Sequence, residues 1–470
     1  MESKPSRTTF HKRLEAMVQQ LRADIQSGKL AAGTYLPSEE VLGKQFLLSK
    51  NSVRKGLAAL VEDKLIVKKP KVGNMVAIPD GGKEKVVLRF CYYSTAVHET
   101  GISTLLDNFE KKYPHIQVKR LIFRFYQYPE QAIEFMKEKM VDVVMLNYSA
   151  FRYFHNAGAL HFLAEQVADA RVYPFLNQAF TVNDTQYVKP LVFSPVLLCY
   201  NKKHFDEAGL PEPDSSWTWN DFSQAVTRLE DATPSRKRFG FYFHLMSENR
   251  WPLWFLQTGF SLQKNQDGAY SLQDAVFMKS MNLVKELLAR QQEIASFTSE
   301  SDFDTERLFA EEKTSMILTT YFNLNNLKDV PFTYNISPLP YTATPLTLLL
   351  NIGLAASNLS NHKEEAQLLV DYLTSKEAQE QIRNSSLSLP SMKEVAEQVP
   401  AQPKSEPSRF QMFREIIPTF RYYTAMNVES HHLNRMIYHL KLYWSNMDSL
   451  ANVVNGIEQA LNERPDHVVR

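Results

Sequence analysis

The stretch Leu36 to Arg54, LPSEEVLGKQFLLSKNSVR, constrains the fold of this chain more tightly than any other. Ser38 stands where a helix N-cap belongs, because its hydroxyl can accept a hydrogen bond from an orphan amide of a helix running to about Gln45. Ser49 repeats the device at the start of a second helix. From Lys50 to Asp63 the apolar residues Val53, Leu57 and Leu60 recur at helical spacing, while Asn51, Arg54 and Lys55 share another face. One face packs and the other is left to meet a groove. Upstream, Phe10 to Ile25 carries Leu14, Met17, Val18 and Leu21 at helical spacing and supplies a third helix to the same small core. Downstream, Leu65 to Lys69 and Met75 to Ile78 read as two short strands around Pro70, Lys71, Val72, Gly73 and Asn74, a hairpin with a basic tip.

From Phe10 to Pro79 these residues resemble the gluconate-repressor (GntR) family of winged helix-turn-helix regulators. The resemblance lies in the LPSE run, the SKNSVR start of a recognition helix, and the hairpin as a wing. It implies a double-stranded DNA operator as partner, with contacts from Ser38, Lys44, Ser49, Lys50, Asn51, Ser52 and Arg54, and wing contacts from Lys71 and Gly73. Glu40 stands where many relatives have Arg, and Lys71 where many have Gly. The operator sequence is therefore not inferable.

Charge supports this independently. Residues 1 to 80 hold 14 Lys plus Arg against 8 Asp plus Glu, a net of +6, whereas the remainder holds 39 against 44. A local positive excess is what a module touching phosphates needs, since neutralising phosphates releases counterions.

At 470 residues the chain is expected to form about three compact units of ~150 residues each. No basic start followed by an apolar run opens the sequence, and no window approaches the ~18 uninterrupted apolar residues of a membrane span, so a cytoplasmic location is expected. The two cysteines, Cys91 and Cys199, lie in apolar strand-like runs and read as buried thiols. The PDGGKEK run from Pro79 to Lys85 combines turn formers with charge and marks a boundary. The expected organisation is a winged helix at 1–79, a linker at 80–85 and a sensor at 86–470.

Beyond the linker the rhythm becomes strand, helix, strand: Val86 to Tyr92, Ile102 to Lys112, Ile116 to Ile122, and the strand Val141 to Leu146. This is α/β patterning. Ligands collect beyond the carboxyl ends of strands in such sheets, which points to Tyr93, Ser94 and Thr95, and to Asn147 and Tyr148.

Further segments are similar to the extracellular solute-binding proteins, and more narrowly to their sugar-binding branch that includes maltose-binding protein. They are LLDNFEKKYPHIQVK from Leu105, DVVML from Asp142, LLCYNKKHFDEAGLPEPDSSWTWNDF from Leu197, LFAEEKTSMI from Leu308 and EEAQLLVDYLTSKEAQ from Glu364. The resemblance runs from about Val86 to Glu463 and implies a periplasmic-binding-protein-like sensor of two α/β lobes closing over a solute. Leu191 to Leu198 and Ser337 to Pro340 would cross between lobes. One lobe is then about 86–190 with 341–390, and the other about 199–336 with 391–470. Family members normally carry an export signal and deliver solute to a transporter. Fused to a DNA-binding head, the module implies instead a sensor of a small-molecule effector.

A neutral sugar offers apolar CH faces to aromatic rings, and hydroxyls that need partners once dehydrated. Trp251, Trp254, Tyr321, Phe322, Tyr422 and Tyr423 are the aromatic candidates. The sugar-binding pattern implies stacking rings at Trp251, after Met316 and around Tyr422, with polar positions at Glu248 and Ser194. With 29 Phe, 21 Tyr and 5 Trp, most aromatics must nevertheless be core. The solute stays open between a mono- or oligosaccharide, a small peptide and an organic acid. A homodimer is expected, because paired recognition helices reach half-sites about 34 Å apart. Asn434 to Leu461 carries apolar positions that serve either such an interface or intramolecular packing.

The rival reading is an enzyme, a winged head fused to an aminotransferase-like domain. That chemistry needs a Schiff-base lysine, an aspartate for the pyridinium nitrogen and a Gly/Ser-rich phosphate cradle. With only 15 glycines and no GxGxxG or P-loop, no convincing set occurs, and no cofactor is expected. Adjacent His431 and His432 would point apart on a helix, which argues against a metal site. A third reading makes the sensor a dimerisation module without a ligand.

Overall fold

The structure, a computed structural model, describes residues 7–69, 72–77, 85–123, 128–233, 238–245, 247–272, 275–289, 302–399 and 406–463. The chain divides into two compact units, 1–87 with 110–117, and 88–109 with 118–470.

The first unit is built on three helices, α1 (Arg7–Gln26), α2 (Glu39–Phe46) and α3 (Lys50–Glu62). Ser38 caps α2 by accepting from the Val41 amide, and Ser49 caps α3 by accepting from the Ser52 amide. Glu39 and Glu40 fill the first turn of α2, where carboxylates complement the helix dipole. The tight turn between α2 and α3 passes through Leu47 in a left-handed conformation. Met17, Leu21, Leu42, Val53, Leu57 and Leu60 form the shared core. Gly56 permits the close approach of α1: a Cβ there would lie 2.4 Å from Met17 Cε and 3.0 Å from Leu14 Cδ1.

The wing is an antiparallel pair, β1 (Ile66–Lys69) and β2 (Gly73–Val76). The second strand begins at Gly73, two residues before the expected Met75, because the glycine's φ of 139° lets it pair directly with Lys69. Leu36 donates to the Asn74 carbonyl at 2.8 Å and Val76 to that of Thr34 at 2.9 Å, so residues 34–36 flank the wing. Lys71 lies outside the described residues, as does the end of the strand expected to reach Ile78.

The α/β body follows as β3 (Val86–Tyr93), β4 (Ile116–Phe123), β5 (Val143–Asn147), the small antiparallel pair β6 (Thr181–Val182) and β7 (Thr185–Gln186), the long β8 (Lys189–Asn201), and β9 (Phe239–Tyr242). A second small pair, β10 (Gln263–Lys264) and β11 (Tyr270–Ser271), precedes β12 (Thr314–Thr320), β13 (Tyr334–Ser337), β14 (Thr347–Ala356), β15 (Leu389–Pro390) and β16 (Phe420–Arg421). The main sheet runs β4-β3-β5-β14-β8-β12-β9, with β13 and β15 also on β8 and β16 on β14. Helices cover it, giving a two-lobed α/β body.

β8 is the seam between the lobes. From Lys189 to Pro195 it pairs with β14; from Val196 to Tyr200 it pairs with β12. The change falls at Pro195, which has no amide to offer a ladder. Every residue of β8 after Lys189 is buried, as its continuous apolar run requires. Cys91 and Cys199 are both buried free thiols, and burial pushes the Cys91 thiol up to about 12. The C-terminal helices Ser430–Trp444 and Leu450–Asn462 bury Leu433, Met436, Leu440, Val454 and Ile457 in the same core as Trp219, Trp251 and Trp254. Their apolar positions thus serve intramolecular packing.

Candidate functional site

On the first unit, Ser38, Lys44, Ser49, Lys50, Asn51, Arg54 and Gly73 are exposed. Ser52 is not: it is 5% exposed, and its hydroxyl pairs with that of Ser49 at 2.6 Å inside the cap. It therefore stiffens the start of α3 rather than presenting a donor to a groove. Arg54 Nε donates to both oxygens of Glu39, at 2.9 and 3.1 Å, and Lys44 pairs with Glu40 at 2.8 Å. Both cations are thus held by carboxylates of α2.

In the α/β body, the carboxyl ends of β3 and β5 open on one cavity of about 80 Å³, whose lining includes Tyr93, Tyr128, Asn147, Tyr153 and Glu248. Tyr93 ends β3 and is buried, while Ser94 is exposed and outside the lining. Tyr128 donates to the carbonyls of Cys91 and Met145, at 2.9 and 2.6 Å, tying β3 to β5, and its ring meets Tyr93 edge-on at 5.7 Å. Asn147 caps helix Tyr148–Asn156 by accepting from the Ala150 amide at 2.8 Å, which leaves its NH₂ group for the cavity. Glu248 reaches the cavity from the other lobe, after β9. Burial pushes its carboxyl up, and it has no hydrogen-bond or ion-pair partner among the described residues. Behind Tyr93, Glu99 keeps one carboxyl oxygen buried and unpartnered among those residues, and burial pushes this group up to about 7.

Beside the cavity, whose lining includes Ser149 and Ser430, the chain bridges itself. Tyr148 stacks on Tyr422 with ring centres 4.0 Å apart, and its hydroxyl meets Thr424 Oγ1 at 2.9 Å. Arg152 donates from two nitrogens to the Glu429 carboxylate, and Ser149 pairs with Ser430. Glu429 in turn caps helix Ser430–Trp444. Asn351 steadies Tyr422 by donating to its hydroxyl at 3.0 Å.

The other expected positions lie elsewhere. Trp251 is 1% exposed and packs edge-on against Phe255 at 5.5 Å in the apolar core. Tyr321 is fully buried; its hydroxyl donates to the Phe410 carbonyl and its amide to Ser194 Oγ, itself buried in β8. Phe322 is 5% exposed and opens the short turn Asn323–Leu327. These side chains stabilise cores in this conformation and take no part in the cavity. Tyr128, Tyr153, Arg152 and Glu429 were not foreseen, since nothing in their local sequence distinguishes them from ordinary helix surface.

Residues 95–380 match the family model of the bacterial extracellular solute-binding proteins. The chain belongs to that family. Residues 14–76 match the bacterial regulatory proteins of the gntR family, so a DNA-binding regulator head precedes the solute-binding fold. An ABC substrate-binding protein from Listeria monocytogenes, in complex with cycloalternan, superposes with a TM-score of 0.66 at 19% identity, over 81% of this chain and 98% of that one. Maltose-bound MalE3 of T. maritima gives 0.68 at 16% identity over 80% and 99%. Among curated sequences, binding proteins of Brucella abortus and Brucella suis are 23% identical over 216 residues, 45% of this chain. The alignment spans about half, 52%, of their length. The solute-binding match occupies the stretch an aminotransferase-like domain would need, and neither family is enzymatic. No described helix is long and apolar enough to cross a membrane.

Proposed function

We propose that the chain is a ligand-responsive transcriptional regulator: the cavity between the lobes takes a small molecule, a saccharide by preference, and its occupancy modulates operator binding by the winged head. The observation that carries this reading is the cavity itself, where tyrosine rings, a free amide and an unpartnered carboxylate converge at the carboxyl ends of β3 and β5. Rings suit CH faces and planar polar groups suit hydroxyls. A DNA-bound regulator of this kind works in the cytoplasm, and as a homodimer on a two-fold operator. The residues proposed for DNA are the exposed Ser38, Lys44, Ser49, Lys50, Asn51, Arg54 and Gly73.

Only a ligand that binds two conformations unequally shifts their balance, and couplings of ~1–3 kcal/mol change affinity roughly 5- to 150-fold. In the bridged form the Tyr148–Tyr422 stack and the Arg152–Glu429 pair hold the mouth, so a ligand enters by opening them and afterwards shares in holding them shut. The test is retention of operator DNA by the purified protein with and without a saccharide panel. A shift of at least fivefold with one sugar is expected; an unchanged footprint across the panel refutes the reading. The same self-made bridges favour a second reading, a ligand-free dimerisation module, which predicts no change in melting temperature with any sugar.

A further inference from the structure

We propose that the effector is a single sugar-sized ring carrying a protonated amine, and that Glu248 receives that amine. This rests on the cavity being the effector site. Its size comes first: about 80 Å³ in this bridged form, roughly two to three waters at ~30 Å³ each. That space has no room for a chain of rings, and a single ring enters only as the bridges beside it give way.

Charge comes second. Among the described residues, the charged groups in the lining are Glu130 and Glu248, with no Lys or Arg beside them. Arg152, three residues after the lining residue Ser149, is committed to Glu429. Glu130 is engaged by the Tyr153 hydroxyl. Glu248 alone among these carboxylates has no protein partner among the described residues, although burial disfavours its charge. An uncompensated carboxylate in a partly buried place is costly, and a cation held against it removes that cost. The rings of Tyr93, Tyr128 and Tyr153 also favour an ammonium, since the negative face of an aromatic ring attracts cations. Conversely, a phosphorylated or acidic sugar would bring its anion against two carboxylates. The cavity is therefore built to admit an amine-bearing sugar, to tolerate a neutral one and to reject an anionic one.

The experiment uses the full chain at about pH 6.5, where a primary amine is protonated. Binding is measured by calorimetry and by melting temperature with glucosamine, galactosamine and mannosamine, their neutral parent hexoses, and glucosamine 6-phosphate. The expected result is that one hexosamine binds roughly tenfold more tightly than its parent hexose, as a charge-assisted bond implies, and that the phosphate ester does not bind. Glu248→Gln should bring the amine and its parent to within about twofold of each other. A parent hexose binding as well as or better than its amine overturns the proposal while leaving a neutral-sugar sensor standing, and discrimination that survives in Glu248→Gln overturns the role of that residue. Should the variant not fold, the ranking in the wild-type chain decides alone. No binding by any of these sugars overturns the proposal, while the wider saccharide panel on operator retention decides the reading beneath it.

Discussion

The recognition face of the head and the mouth of the sensor cavity are both held by arginine–glutamate pairs, yet the two pairs sit in different media. Arg54 and Glu39 are 55% and 24% exposed, whereas Arg152 and Glu429 are 24% and 21% exposed. In water such a pair is worth between nothing and ~1 kcal/mol and is screened by salt. Away from water, breaking it leaves a charge behind that solvent cannot fully recover. Arg54 can thus leave Glu39 at little cost, as the proposed contact with a phosphate requires. The Arg152–Glu429 bridge beside the cavity breaks only against resistance, which on the proposed function makes it the better place to store a signal.

Glu99 gives the largest expected effect and tests whether the cavity side really is poorly solvated. Its folded-state carboxyl lies near 7 against an ordinary 4.5, because burial disfavours its charge. A raised carboxyl means that the folded state binds the extra proton between those values. Its favourable contribution is complete below about pH 4.5 and lost as pH rises through about 7. Glu99→Gln should match wild type near pH 4.5 and exceed it above pH 7 by about 1–3 kcal/mol in chemical denaturation. Equal pH profiles would mean that water reaches this group and that the contrast with the head is illusory.

Arg152→Met comes next. It should lower stability by about 1–3 kcal/mol, and the loss should persist in ~0.5 M salt. Small-angle scattering should show an expanded particle as the mouth opens. A loss that vanishes in salt would put this pair in the same class as the one on the head.

The smallest effect belongs to Glu39→Gln, which releases Arg54. Operator affinity should rise two- to threefold, ~0.5 kcal/mol, at low salt and converge with wild type as salt increases. A fall in affinity would mean that Glu39 positions Arg54 for DNA instead of competing with DNA for it.

The head was legible in the sequence because everything that defines it is local. Ser38 and Ser49 announce their helices through bonds spanning three residues, and Val53, Leu57 and Leu60 mark the packed face. Only the wing strand shifted, because the unusual φ of Gly73 has no signature in a hydropathy pattern. The cavity was legible where a general rule applies: residues at the carboxyl ends of β3 and β5, Tyr93 and Asn147, do face it. A family position fixes a place in the chain but not a side-chain direction, so Trp251, Tyr321 and Ser194 turned inward to fill cores. Arg152 and Glu429 escaped notice because each acquires meaning only from a partner far along the chain.

One consequence follows from the neighbours of β8. Synthesis runs from the amino terminus, so β8 leaves the ribosome long before β12 and β14, the strands that flank it. For that interval a wholly apolar strand waits with bare edges, an invitation to aggregation and a natural client for chaperones. The head, needing only contacts within its own stretch, can fold at once. On the proposed function, a nascent chain is thereby equipped to find an operator before it is able to hear an effector.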